Sequence, residues 1–111
     1  MALSRIRTAI EPGVTENYLY SVLASTNLQY GGERVDAKLL CAGGNTNPWL
    51  KRQSLDRFVL TGDLVAIDMD MAGPIGYFSD ISRTYWCGDN KPNSEQIYAC
   101  KRAYEFLQAC I

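Results

Sequence analysis

Apolar residues recur with helical spacing in the first third of the chain. Met1 to Ile10 is predicted to be a helix that stops at the Pro12-Gly13 turn. A second helix is predicted from about Glu16 to Tyr30, with Thr15 as its N-cap and Gly31 at its end. The face that we expect this helix to bury is formed by Leu19, Val22, Leu23 and Thr26.

The middle of the chain has the alternation that is typical of strands. A short strand is predicted from Ala37 to Ala42, ahead of a loop from Gly43 to Trp49 that is dense in turn-forming residues. Two stronger strands are predicted from Leu64 to Met71 and from Gly76 to Trp86. The residues from Ala72 to Ile75 then form a hairpin loop.

A last helix is predicted after Asn93, which has Gln96 at the position that completes a capping box. Its apolar face is formed by Ile97, Cys100, Tyr104, Leu107 and Ile111. This pattern continues to the last residue, and the first helix starts without a cap, so we expect a fragment of a longer protein. A small complete domain with frayed ends is the alternative. The stretch from Leu55 to Leu60 fits a helix or a strand.

Composition narrows the class of protein. The chain has 111 residues, of which 47% are hydrophobic and 21% charged, so it is at most one globular domain. A net charge of -1 argues against a nucleic-acid partner. No apolar run approaches the length of a membrane helix, and Arg5 and Arg7 interrupt any signal-like segment. We therefore expect a cytoplasmic protein without a membrane partner.

Histidine is absent, which removes His-dependent catalytic triads and His-ligated metal sites that this chain could build alone. The cysteine spacings match no zinc ribbon and no Cys-x-x-Cys motif. We expect buried or half-buried thiols in a reducing compartment, and a disulfide framework is the alternative. The four cysteines are Cys41, Cys87, Cys100 and Cys110.

Three aspartates are concentrated on the predicted hairpin. Because strand side chains alternate between faces, Asp68 and Asp70 share one face. A turn centred near Pro74 would set Asp80 roughly opposite Asp68, so that three carboxylates lie on one side. The other face is apolar and predicted to be core, and it carries Val65, Ile67, Met69 and Met71.

Clustered carboxylates on strands are destabilising unless something offsets their repulsion. A divalent cation does so, and bridging carboxylates suit a pair of hard or borderline ions. Three solvated acids on an outer face are the alternative. A calcium-binding EF-hand loop is excluded, because Ala72 and Ser79 stand where that loop needs an oxygen ligand and a glutamate.

The run Gly76-Tyr77-Phe78-Ser79-Asp80-Ile81-Ser82-Arg83-Thr84 resembles the first metal-binding hairpin of the pita-bread metallopeptidase family, which contains methionine aminopeptidases, Xaa-Pro peptidases and creatinase. Pro12-Gly13-Val14-Thr15-Glu16 and Gly62-Asp63-Leu64-Val65 are also similar to family motifs. The resemblance covers essentially the whole chain. It implies an α+β fold with an antiparallel sheet and flanking helices. Residues 1–111 would be roughly the first half of the catalytic domain, truncated at both ends, of a protein that forms a homodimer.

Two departures from the peptidases point to one branch of this family. In the peptidases, the first Asp ligand lies eleven residues before the second Asp ligand. Eleven residues before Asp80, this chain has Met69 instead. The peptidases also carry Pro-His where this chain has Pro48-Trp49. The chain instead resembles the metallopeptidase-like dimethylsulfoniopropionate (DMSP) lyases of the DddP type. Asp68, Asp70 and Asp80 match their ligand spacing. The resemblance implies two divalent ions, without distinguishing iron, manganese, zinc and nickel.

The activity implied by this branch is cleavage of DMSP, a small molecule, to dimethyl sulfide and acrylate. The remaining ligands, one His and two Glu, and the catalytic base would lie beyond Ile111, so the chain alone would be inactive. Aromatic faces attract sulfonium cations, which makes Trp49, Tyr85 and Trp86 candidate substrate-binding residues, with ordinary packing as the alternative. An Xaa-Pro metallopeptidase with an unusual ligand strand and a non-catalytic pita-bread binding module are the alternative functions.

Overall fold

A computed structural model of the chain describes residues 1–48 and 56–111. The predicted α+β class is confirmed, and the described residues include the three predicted helices. The helices are α1 (Ala2–Ala9), α2 (Glu16–Gln29) and α3 (Ser94–Cys110). The strands are β1 (Arg34–Val35), β2 (Leu40–Ala42), β3 (Leu64–Ala72) and β4 (Phe78–Trp86), and short 3-10 turns span Gly43–Thr46 and Pro74–Gly76.

The four strands form one antiparallel sheet around β3. Strand β4 pairs along one edge of β3. On the other edge, β1 pairs with the end that contains Ala72, and β2 pairs with the end that contains Val65. The predicted strand from Ala37 begins only at Leu40, because Ala37 has a φ of 43°, which is incompatible with an extended strand. Strand β1 was not predicted.

Helices α1 and α2 cover the apolar face of the sheet. Ile6, Leu19 and Leu23 are buried in one cluster with residues of β2 and β3. On β3, Val65 and Ile67 are fully buried, as the strand pattern predicted. The core therefore lies between this helical layer and one face of β3. The face of β3 that carries the aspartates points away from it.

The helix starts agree with the predicted caps. Thr15 Oγ1 accepts a hydrogen bond from the backbone N–H of Tyr18 at 3.0 Å. Asn93 Oδ1 accepts from the N–H of Gln96 at 2.8 Å, and Gln96 returns a bond to the N–H of Asn93 at 2.9 Å. A side-chain cap contributes about 1 kcal/mol to helix stability, so both helix starts are encoded locally.

The cysteine prediction is correct for two residues and wrong for the other two. None of the four cysteines, all in the described part of the chain, forms a disulfide. Cys41 and Cys87 are buried, whereas Cys100 and Cys110 are exposed. Both exposed cysteines belong to α3, in which no described residue is buried. No helix within the described ranges combines the length and the apolarity that a membrane crossing requires.

Candidate metal centre

The hairpin of β3 and β4 places Asp80 opposite Asp70, and Ser82 opposite Asp68. The prediction that Asp80 faces Asp68 was therefore wrong. The turn is centred on Ile75, one residue later than predicted, and Gly73 N–H still bonds to Tyr77 O at 2.8 Å. Moving the centre of a hairpin by one residue shifts every cross-strand pair by two.

A shift of two residues preserves the face of each side chain, so the register places all three aspartates on the same side of the sheet. Asp68 and Asp70 are half-buried, and Asp80 is exposed. Ser82 Oγ donates a hydrogen bond to Asp68 Oδ1 at 2.7 Å. This bond orients one carboxylate of the group.

A fourth carboxylate joins this face from the residue that directly follows β1. The N–H of Asp36 donates to Asp70 O at 2.9 Å, which continues the β1–β3 pairing by one residue. Asp36, Asp70 and Asp80 therefore occupy one row across three neighbouring strands. Asp36 also accepts from Arg34 Nε at 2.8 Å, so one cation partly balances the row. Sequence reasoning missed Asp36, because nothing local shows that so short a segment pairs with β3.

The surroundings of Asp70 raise the pKa of its carboxyl group. Loss of hydration raises the pKa of Asp70, and repulsion from Asp80, Asp68 and Asp36 raises it further. The ionised form is thus disfavoured in the protein without a counter-charge. A bound cation would reverse this effect, because it favours the ionised carboxylate.

The side chains on this face carry the type of donor atom that metal ions bind. Carboxylate oxygens suit hard and borderline divalent ions, and Asp68, Asp70 and Asp80 supply them from one continuously paired hairpin. In the two described ranges, however, no three side chains of His, Cys, Asp or Glu come close enough together to hold an ion. The three aspartates thus provide ligands of the right type on one side, without a closed coordination shell.

The candidate aromatic residues are spread over the hairpin. Trp86 shares the face of the aspartates and lies opposite Leu64, about 13 Å along β3 from Asp68 at the usual strand rise. Its Nε1 donates to Asn90 O at 2.6 Å. Tyr85 lies opposite Val65 on the core face, away from the aspartates. Trp49 lies outside the described residues.

Curated relatives point to the same group of proteins as the hairpin. The chain is 35% identical over 103 residues to "Dimethylsulfoniopropionate lyase DddP" of Roseobacter denitrificans, covering 92% of the chain and 23% of that protein. It is 34% identical over 102 residues to the protein of the same name from Roseovarius nubinhibens, with 91% and 23% covered. The chain thus spans about a quarter of the length of these relatives.

Two solved structures that share this fold are peptidases. Prolidase from Pyrococcus furiosus matches with a TM-score of 0.77 and 25% identity, over 87% of this chain and 28% of that one. Xaa-Pro dipeptidase from Bacillus anthracis matches with a TM-score of 0.74 and 26% identity, over 87% and 26%. Both support the pita-bread fold, of which this chain represents a part. The sequence profile of metallopeptidase family M24, whose members use divalent metal ions, matches residues 1–111, and the chain belongs to this family.

Proposed function

We propose that the full-length protein is a metal-dependent lyase that cleaves DMSP to dimethyl sulfide and acrylate. The observation that carries this proposal is the position of Met69 between Asp68 and Asp70. Met69 stands where the peptidases have their first Asp ligand, and it is 4% exposed in the core. Both aspartates lie on the other face, where Asp80 joins them. The names of the two curated relatives support the same activity.

In this proposal, Asp68, Asp70 and Asp80 are metal ligands, and two divalent ions bind beside them. When bound, the ions would supply positive charge to the substrate carboxylate and so stabilise the charge that grows on it as the neighbouring proton leaves. Ser82 fixes the orientation of Asp68 through its hydrogen bond. The chain's own part in the reaction is to present these three ligands from a hairpin whose opposite face is packed in the core.

The elimination balances without an external oxidant or reductant. A base removes the proton from the carbon next to the carboxylate, and that electron pair forms the new C=C bond. The C–S bond breaks, and the sulfur leaves with its bonding electrons as neutral dimethyl sulfide. The base, one His ligand and two Glu ligands are proposed to lie beyond Ile111. Trp49 is proposed to face the sulfonium group. Tyr85 and Trp86 are weaker candidates, because Tyr85 lies on the core face and Trp86 lies about 13 Å along β3 from Asp68 at the usual strand rise.

The decisive experiment is headspace detection of dimethyl sulfide from the full-length, metal-loaded gene product supplied with DMSP. We expect Asp68→Ala, Asp70→Ala and Asp80→Ala each to lower the rate by about a hundredfold or more, since losing even an outer partner of a ligand costs ten- to a hundredfold. Removing the metal with a chelator should abolish release, and adding it back should restore release. Asp89→Ala, at an exposed aspartate beyond β4, is the matched control and should keep wild-type activity.

An Xaa-Pro metallopeptidase is the second candidate, favoured by the prolidase and dipeptidase structures that share the fold. A folded protein that binds two metals, releases no dimethyl sulfide and hydrolyses Xaa-Pro dipeptides would replace the lyase proposal. If the protein has neither activity, the non-catalytic pita-bread binding module is the function that remains.

A further inference from the structure

An arginine lies beside the row of carboxylates that crosses β1, β3 and β4. Arg34 and Phe78 are both opposite Ala72, the first from β1 and the second from β4. Directly opposed residues share a face, so these three residues form the neighbouring row on the same side of the sheet. Because Ala72 is two residues from Asp70, the two rows are about 7 Å apart at the usual strand rise. A positive charge therefore lies next to the candidate metal centre.

The guanidinium group of Arg34 is held from two sides. Its Nε donates to Asp36 Oδ1 at 2.8 Å. Its central carbon lies 5.3 Å from the centre of the Phe78 ring, whose face attracts a cation. Another nitrogen of the group is 3.8 Å from Glu33 Oε2. The side chain therefore extends across Ala72, which is fully buried.

The backbone at Arg34 is fixed as well. Asn27 of α2 is buried, and its Nδ2 donates to Arg34 O at 3.0 Å and to Ala72 O at 3.1 Å. On either side of Arg34, the N–H groups of Glu33 and Asp36 donate to carbonyl groups of β3 at 2.9 Å each. The point from which the arginine side chain starts is therefore set by the core and by β3.

The pair with Arg34 distinguishes Asp36 from the three proposed ligands. An ion that bound the Asp36 carboxylate would have to compete with the guanidinium, which is itself a cation. The charge of Asp36 still acts on the neighbouring aspartates, because the spacing within the row is shorter than the screening length of about 8 Å at physiological salt. Arg34 thus reduces the negative charge of this face and occupies one of its carboxylates.

We infer that Arg34 is a positioning residue that keeps Asp36 out of the coordination shell and thereby sets how tightly the metal centre binds divalent ions. The inference rests on the proposed function in one respect, that metal binds at Asp68, Asp70 and Asp80. It assigns opposite effects to the two residues, because Arg34 weakens metal binding and Asp36 strengthens it. Replacing a residue that served only stability would weaken binding, so the sign of the change separates the two roles.

The test is calorimetric titration of the metal-free, full-length protein with Mn²⁺, an ion that carboxylate oxygens suit. Arg34→Gln should bind Mn²⁺ about three- to tenfold more tightly than the wild type, because it loses the cation and frees Asp36. Asp36→Asn should bind about three- to tenfold more weakly. Arg34→Lys keeps the charge and should stay close to the wild type. Arg102→Gln, at a similarly exposed arginine that pairs with Glu105 on α3, is the matched control and should not change the affinity.

A double variant tests whether the two residues act together. Arg34→Gln combined with Asp36→Asn removes one charge of each sign, so its affinity should return to within about twofold of the wild type. A double variant that binds as tightly as Arg34→Gln would overturn the inference, since Asp36 would then play no part. Unchanged or weaker binding in a folded Arg34→Gln would also overturn it. If Arg34→Gln fails to fold, Asp36→Asn decides, and an unchanged affinity in that variant would overturn the inference.

The titration separates this inference from the proposed lyase activity. A wild-type protein that binds Mn²⁺ and releases no dimethyl sulfide would refute the lyase, and the comparison of affinities would still decide the role of Arg34. A wild-type protein that binds no Mn²⁺ would refute the metal centre and this inference together.

Discussion

Ser82 has a specific relation to one of the proposed ligands. Its Oγ donates to Asp68 Oδ1 at 2.7 Å from the directly opposed position on β4. A hydroxyl that engages one carboxylate oxygen leaves the second oxygen in a defined direction. Ser79 lies on the same strand but opposite Met71, with its Oγ 3.5 Å from Met71 O. Comparing variants of the two serines therefore distinguishes the loss of the bond to Asp68 from a general loss of stability in β4.

We expect Ser82→Ala to lower the metal affinity of the full-length protein by about tenfold, because Asp68 loses the bond that orients it. Calorimetric titration with the metal measures this change. Ser79→Ala should bind metal as the wild type does. Equal losses in both variants would mean that the serines act through the stability of the hairpin rather than through Asp68.

At the scale of elements, the hairpin turn contains an unfavourable backbone conformation. Ile75 lies at the centre of the turn with a φ of 68° and is 87% exposed. A left-handed conformation costs a residue with a Cβ about 1–2 kcal/mol. Since its side chain is exposed, little packing offsets that cost. Tyr77, which is 79% exposed and has an ordinary φ of -72°, provides a comparison two residues later.

Ile75→Gly should raise the free energy of unfolding by up to about 1 kcal/mol, because relief of the left-handed strain exceeds the added flexibility of the unfolded chain. Tyr77→Gly should lower it by about 0.5–1 kcal/mol, since no strain is relieved there. Urea denaturation of the 111-residue chain measures both. A lower stability in both variants would show that Ile75 is not strained.

At the scale of the whole molecule, the two ends of the chain differ in burial. Helices α1 and α2 pack on the sheet, whereas α3 presents apolar side chains to solvent. Extended exposed apolar surface marks interaction surfaces. The exposed apolar side chains of α3 are Ile97, Tyr98, Tyr104, Phe106 and Leu107. The four cysteines provide a measure of this difference in burial, because two are buried in the core of the sheet and helices and two are exposed on α3.

Timed alkylation of the 111-residue chain should modify Cys100 and Cys110 rapidly and Cys41 and Cys87 slowly. Burial raises the pKa of Cys87, and the nearby Asp63 carboxylate raises it further. Because the thiolate is the reactive form, Cys87 should require a higher pH than an ordinary thiol. Mass spectrometry after each interval identifies the labelled sites. Four equally fast sites, as expected in denaturant, would contradict this packing.

Features that depend on neighbouring residues were predictable from the sequence. Thr15 and Asn93 predicted where their helices begin, because the side chain of a cap residue accepts a hydrogen bond from a backbone N–H three residues later. The alternation of Asp68, Met69 and Asp70 separates a polar face from a core face because the strand period is two. The common face of the aspartates follows from this local rule, whereas the α+β class was implied by the family resemblance.

Features that join distant segments were decided only by the tertiary structure. The hairpin register depended on which residue occupies the centre of the turn, and Ile75 takes a conformation that its residue type disfavours. Asp36 reaches the row of carboxylates through a strand of two residues that forms only against β3. Glu16 has the position of an ordinary first-turn acid in the sequence, and folding buries it against the turn after β2. The sequence by itself determined the three helices, the two long strands β3 and β4 and the faces of these elements, because these depend on short-range geometry. The register, the fourth carboxylate and the buried glutamate depended on contacts between segments far apart along the chain, which no local pattern encodes.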